Sequence, residues 1–99
     1  MLESVYESCL CYELHKRGFE FRRQLDLPIL YDNIRLESGL RVDILAADCV
    51  IVEVKSVETL MPVHGAQLLT YLKLSNKRLG LLLNFNVPLM KHGVKRMVL

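Results

Sequence analysis

Two carboxylates and an amine, Asp43, Glu53 and Lys55, lie in a stretch that reads as a β-hairpin. Residues 40–46 and 49–56 have strand character, and a tight turn at Ala47-Asp48 joins them. Side chains alternate across a strand, so Ile51, Glu53 and Lys55 share one face and Val50, Val52 and Val54 the other. In the first arm, Arg41, Asp43 and Leu45 share a face opposite Val42, Ile44 and Ala46. If the turn centres near Asp48, Asp43 lies across from Glu53 and Arg41 across from Lys55. Like charges directly opposite destabilise a sheet by up to ~1 kcal/mol per pair. A divalent cation between the carboxylates would reverse that sign. A slip of two residues would instead pair Arg41 with Glu53 and leave a plain salt-bridged, solvated face. Spacing alone leaves both registers open.

The elements that must position this hairpin can be read from periodicity. Leu2, Val5, Tyr6, Cys9, Leu10 and Leu14 recur at helical steps and predict a helix over about residues 3–17, stopped by Gly18. Residues 19–31 alternate as a strand, and Pro28 marks an edge or a bend. Turns are expected at Asp32-Asn33 and at Glu37-Ser38-Gly39. Pro62 can open a second helix running to about Ser75, with Val63, Ala66, Leu69 and Leu72 as its apolar stripe. Residues 79–86 are nearly all apolar, as in a strand covered on both faces. A terminal β element follows a turn at Lys91-His92-Gly93. The predicted order is α-β-β-β-α-β plus that last strand, an α/β fold with a mixed central sheet flanked by helices.

Length and composition narrow the function classes. Ninety-nine residues suit one domain, and a hydrophobic content of 52% supports a packed core rather than disorder. Net charge is +2, so any nucleic-acid role must come from local placement of charge. The basic residues are spread: Arg22, Arg23, Arg35, Arg41, Lys73, Lys77, Arg78, Lys91, Lys95 and Arg96. Arg22-Arg23 and Lys77-Arg78 could meet phosphates or simply face solvent. Cys9, Cys11 and Cys49 fit neither a disulfide framework nor a zinc site and read as reduced core thiols of a cytoplasmic protein. No apolar run approaches the ~20 residues of a membrane span.

Arg41-Val-Asp43-Ile-Leu followed by Val50-Ile-Val-Glu53-Val-Lys55 resembles the D…ExK core of the PD-(D/E)XK nuclease superfamily. More closely, the chain resembles that superfamily's bacterial GxxExxY family. Glu3-Ser-Val-Tyr6 matches the ExxY pattern, and Pro62-Val-His64 leading to Gln67-Leu-Leu-Thr-Tyr71 matches the segment after the core. Leu79-Gly80-Leu-Leu-Leu-Asn84-Phe85 and Val87-Pro88-Leu89 match the end. The glycine of the pattern would fall before Met1, so the chain is expected to be an N-terminally shortened member.

The resemblance implies a restriction-endonuclease-like core with a phosphodiesterase site. Asp43 and Glu53 would ligate Mg²⁺ or Mn²⁺, hard ions that favour oxygen, with the Val54 carbonyl and Glu3 as further ligands. Lys55 would orient or help deprotonate the attacking water, or stabilise charge on the phosphate. Gln67 and Tyr71, four apart on one helix face with His64 beside them, would border the site as in RecB-like nucleases. For each of these helix residues the plainer reading is the edge of an amphipathic helix. His64 is read as a helix-start residue, and His15 and His92 as solvated. The expected activity is metal-dependent hydrolysis of nucleic acid, DNA more than RNA. The alternative is a non-catalytic module that keeps the fold and binds nucleic acid or protein. No recognition element is apparent, so targeting falls to a partner protein. A homodimer is expected through the first helix or the terminal strand.

Overall fold

The computed structural model describes residues 2–88 and 90–99, and for residues 37 and 38 the backbone alone. Its elements are α1 (Leu2–Lys16), β1 (Phe21–Tyr31), β2 (Ile34–Ala46), β3 (Val50–Lys55), α2 (Pro62–Ser75), β4 (Leu79–Asn84), a 3-10 turn at Met90–His92 and β5 (Val94–Val98). The strands form one five-stranded sheet in sequence order. The expected element order and the mixed α/β class are both found.

Two pairs of left-handed residues build the antiparallel part. Asp32 and Asn33 have φ of 50° and 63°, and Ala47 and Asp48 have 52° and 57°. Two consecutive positive φ values give a turn whose twist matches the flanking strands; the loop has two residues between Tyr31 and Ile34 and three between Ala46 and Val50. β3 and β4 instead run parallel, with α2 as the crossover between them, and β5 returns antiparallel to β4.

Pro28 lies in the edge strand β1, where the lost N–H costs nothing to a neighbour. It also marks a bulge. Leu27 pairs with Leu40 and Ile29 with Leu36, so residues 37–39 stand opposite Pro28 alone. The turn expected at residues 37–39 is therefore this irregularity inside one continuous β2, with Gly39 at φ 122°. The sequence signal for a break was real, but the pairing with β1 carries the strand across it.

Each face of the sheet holds one core. On the α2 side Leu27, Leu40, Val42, Leu45, Ile51 and Leu82 pack with Leu68 and Leu72. On the α1 side Ile44 and Val52 pack with Cys11, flanked by Phe21, Ala46, Val50, Leu10 and Leu14. Strict alternation cannot produce these lists. Ile44 and Ala46 face α1, whereas Val42 and Leu40, of the same parity, face α2. β1 shows the same change between Phe21 and Leu25. Both strands switch faces between the pairs Arg23–Ile44 and Leu25–Val42, where Gln24 takes φ 46° and no Gln24–Asp43 ladder pair forms.

Both helices are rotated from the expected stripes. In α1 the buried residues are Glu7 and Cys11, while Leu2, Val5 and Tyr12 are 56–65% exposed and Cys9 is exposed. Apolar residues occur all round this helix, so the polar Glu7 decides its orientation through partners on β1. In α2 the buried residues are Gly65, Leu68 and Leu72, with Val63 and Ala66 exposed. A Cβ on Gly65 would stand 3.1 Å from Met97 Cε, so a residue without a side chain marks the contact with β5. Of the three thiols only Cys11 is buried, and all are free. Among the described residues no helix is long and apolar enough to cross a membrane.

Gly93 closes the sheet beside the site. Its carbonyl accepts from Asn84 N–H at 2.7 Å, and a Cβ there would overlap the Asn84 carbonyl oxygen. Backbone cannot yield as a side chain can. Gly93→Ala is expected to cost about 2–4 kcal/mol and to lower the melting temperature by about 10 °C or more. An unchanged thermal unfolding curve would refute this packing.

Candidate active site at the opening between β2 and β3

The β2–β3 ladder runs through Ala46–Val50, Leu45–Ile51 and Ile44–Val52 and stops there. This is the register that places Asp43 beside Glu53, not the slipped one. At the next bonding position the Val54 N–H donates to Asp43 Oδ2 at 2.8 Å instead of to a β2 carbonyl. The N–H and C=O of one strand residue leave the same edge, so the Val54 carbonyl lies on the Asp43 side as well. Arg41 does not stand across from Lys55. It pairs with Asp26 of β1, at 3.0 Å from Nε to Oδ1 and 3.2 Å from Nη2 to Oδ2.

Glu53 is 9% exposed, and its Oε1 is buried with no donor. Its carboxyl is pushed up to about 9. Burial is the largest cause, followed by a hydrogen bond shared with Asp43 and the charge of Asp43, with Lys55 opposing. Without a cation, this glutamate holds its proton at neutral pH.

The remaining predicted residues surround this pair. Lys55 follows Glu53 on the same face of β3, and its carbonyl accepts from Phe85 N–H at 2.9 Å. Tyr71 is half-buried, and its hydroxyl is pushed up by burial and by the charges of Glu53 and Asp43. Gln67 donates to the Tyr71 hydroxyl at 3.1 Å and is exposed. His64 Nδ1 accepts from Met61 N–H at 2.9 Å, so it caps α2 as read from the sequence. Glu3 Oε2 accepts from Ser56 N–H at 3.1 Å, one residue beyond Lys55.

Sequence reading missed three residues here. Glu7, 6% exposed, takes both Arg23 Nε and Nη2 on Oε2, at 3.1 and 2.9 Å. Gln24 Nε2 donates to Glu7 Oε1 at 2.9 Å and to Asp43 Oδ1 at 3.4 Å. Asn84, buried opposite Lys55 on β4, holds the chain after the lysine. Its Oδ1 accepts from Val57 N–H at 3.0 Å and its Nδ2 donates to Val57 carbonyl at 2.9 Å. An asparagine ending a run of leucines was the available signal. Tyr6 stacks on Phe85 with centroids 4.8 Å apart, which ties α1 to the same corner.

Three of the four residues in the basic pairs bond within the protein. Arg22 bonds Asp48 at 2.9 Å, Arg23 bonds Glu7, and Lys77 Nζ donates to the Asp48 carbonyl at 3.0 Å. Arg78 is exposed.

A hard divalent cation fits the donor set. A buried carboxylate oxygen lacks a donor, a second carboxylate faces it, and a backbone carbonyl shares the edge. Among the described residues no three His, Cys, Asp or Glu side chains converge. Water or substrate oxygens would complete the shell, as is usual for Mg²⁺.

A mixed sheet whose central hairpin carries Asp43 and Glu-x-Lys, crossed by one helix, defines a nuclease-type core. The family profile described as PD-(D/E)XK nuclease superfamily matches residues 1–97. The chain belongs to the PD-(D/E)XK nuclease superfamily. Searches of curated proteins and of solved structures give no significant match.

Burial of Glu53 makes stability depend on pH. The unfolded glutamate ionises near ~4.3, whereas the folded one does so at about 9. Between these values the folded chain holds the extra proton, so stability falls as pH rises. The metal-free protein is expected to lose at least about 4 °C in melting temperature from pH 5 to pH 9, on a scale of ~4–8 °C per kcal/mol. Glu53→Gln should flatten that slope. A wild-type profile that rises over the same window would contradict the assignment.

Proposed function

We propose that the chain is a metal-dependent nuclease that hydrolyses phosphodiester bonds in nucleic acid, with DNA favoured over RNA. The reading rests on Glu53, a buried carboxylate with a donorless oxygen set against Asp43. Burying such a pair serves no packing purpose, and a cation compensates it. Asp43, Glu53 and the Val54 carbonyl hold Mg²⁺ or Mn²⁺, with Glu3 as an outer carboxylate beside Ser56. Bound there, the ion would lower the pKa of a coordinated water and neutralise charge on the phosphate. Lys55 orients that water or stabilises charge on the phosphate. Tyr71, steadied by Gln67, borders substrate on the α2 side. Within the superfamily, Glu3, Tyr6, Gln67 and Tyr71 support reading the chain as a member of the GxxExxY family.

Turnover separates this reading from a fold retained only for binding. Purified protein with Mn²⁺ is expected to nick or degrade DNA, and EDTA to stop it. Lys55→Ala should lose at least about 100-fold in rate, the scale of general acid–base assistance, while still gaining thermal stability from Mn²⁺. Cleavage by Lys55→Ala at the wild-type rate would defeat the mechanism.

The assembly proposed with it is a homodimer through α1. Leu2, Val5, Cys9 and Tyr12 lie at steps of three, four and three along the outer side of the helix, all exposed. That spacing is a coiled-coil seam, and a two-fold contact would use it twice. Light scattering should show a dimer that Val5→Glu converts to an 11.4 kDa monomer. A wild-type monomer at every concentration would exclude it.

A further inference from the structure

Gln24 is the residue at which β1 changes faces, and it does so with φ 46°. A side chain other than glycine is rarely held there, and such positions cluster where a site needs them. The gain here is reach. Twisting out of the strand brings its Nε2 to two carboxylates that lie on different elements, Glu7 Oε1 on α1 at 2.9 Å and Asp43 Oδ1 on β2 at 3.4 Å. One amide nitrogen carries two hydrogens, one for each. Glu7 is fixed in turn, because Arg23 grips its other oxygen through Nε and Nη2. The result is a continuous line, Arg23–Glu7–Gln24–Asp43, ending on the carboxylate whose second oxygen takes the Val54 N–H.

We propose that Gln24, held by Glu7 and Arg23, is a positioning residue that aims the Asp43 carboxylate at a cation shared with Glu53. This deepens the metal-dependent reading above and rests on it. With Oδ1 tied to Gln24 and Oδ2 to Val54, both rotations of the Asp43 carboxylate are fixed from opposite sides. Each oxygen keeps a lone pair that a cation could use. Partners of this kind, one step removed from the ion, typically change metal affinity 10–100-fold when removed. The competing account is that Gln24 merely pins α1 onto the sheet. That account predicts a loss of stability and no change in metal affinity.

Gln24→Gly separates the two, because glycine adopts φ 46° freely and removes the side chain that carries the amide. Mn²⁺ affinity is measured by titration followed by electron paramagnetic resonance, well below the melting temperature, so that a less stable variant is still read in its folded form. Arg22→Ala, which breaks the exposed pair with Asp48 on the same strand, serves as the control. The expected result is Mn²⁺ binding weakened by about tenfold or more in Gln24→Gly, with Arg22→Ala equal to wild type. Equal affinity in Gln24→Gly and wild type would overturn the role of Gln24 and leave the metal site standing. Absence of Mn²⁺ binding by wild type at millimolar ion would overturn the metal site and this role together.

Discussion

The Val54 N–H goes to a carboxylate instead of to the next strand, and the rest of the site depends on that exchange. A regular antiparallel ladder would continue past Ile44–Val52 and close β2 against β3. Asp43 Oδ2 accepts the amide at 2.8 Å in place of a β2 carbonyl. The backbone group stays satisfied, as a buried N–H must, and the two central strands are freed to part. The edge opened in this way carries Asp43 and the Val54 carbonyl, with Glu53 and Lys55 on the adjoining face. A single side chain thus does the structural work of a hydrogen bond and creates the space for chemistry.

That space is expensive to maintain. Glu53 is buried with an oxygen that meets no donor, beside a second carboxylate, and its carboxyl is held neutral up to about 9. An isosteric apolar residue would stabilise the fold more, since burying a polar group without its bond costs free energy. Natural sequences keep such defects where function needs them. The surroundings are arranged to tolerate it. The α2-side core supplies eight buried hydrophobic side chains around the hairpin, and Asn84 anchors the chain just after Lys55.

Much of this was legible in the sequence, and the limits are physical. The turn through Ala47, Asp48 and Cys49 sets the hairpin register, because this three-residue loop pairs Ala46 with Val50. With that turn, Asp43 falls beside Glu53. Pro28 announced an edge, and β1 is one. What failed was the assumption that alternation continues unbroken. Nothing in the type of residue 24 announces a left-handed glutamine, so the change of face there, and the pairing of Arg41 with Asp26, were hidden. In α1 the apolar residues surround the helix, and periodicity had no means of choosing the face that buries Glu7. A stripe of hydrophobic residues records where burial is permitted, whereas the pairing of buried Glu7 with Arg23 records where it occurs.

The ion pairs also bear on how substrate would be held. Arg22 and Arg23 lie on β1 and Arg41 on the neighbouring β2, so the three could have formed a basic patch. Each is instead matched to an acid, Asp48, Glu7 and Asp26. Of these acids only Glu7 is buried, and only its pair leads to Asp43. Exposed pairs such as those of Arg22 and Arg41 contribute little to stability, but they do cancel local field. With a net charge of +2 over the whole chain, long-range attraction of a polyanion is weak. Affinity for a phosphate would then have to arise at short range, and Lys55 is the cation that shares a face of β3 with the buried Glu53.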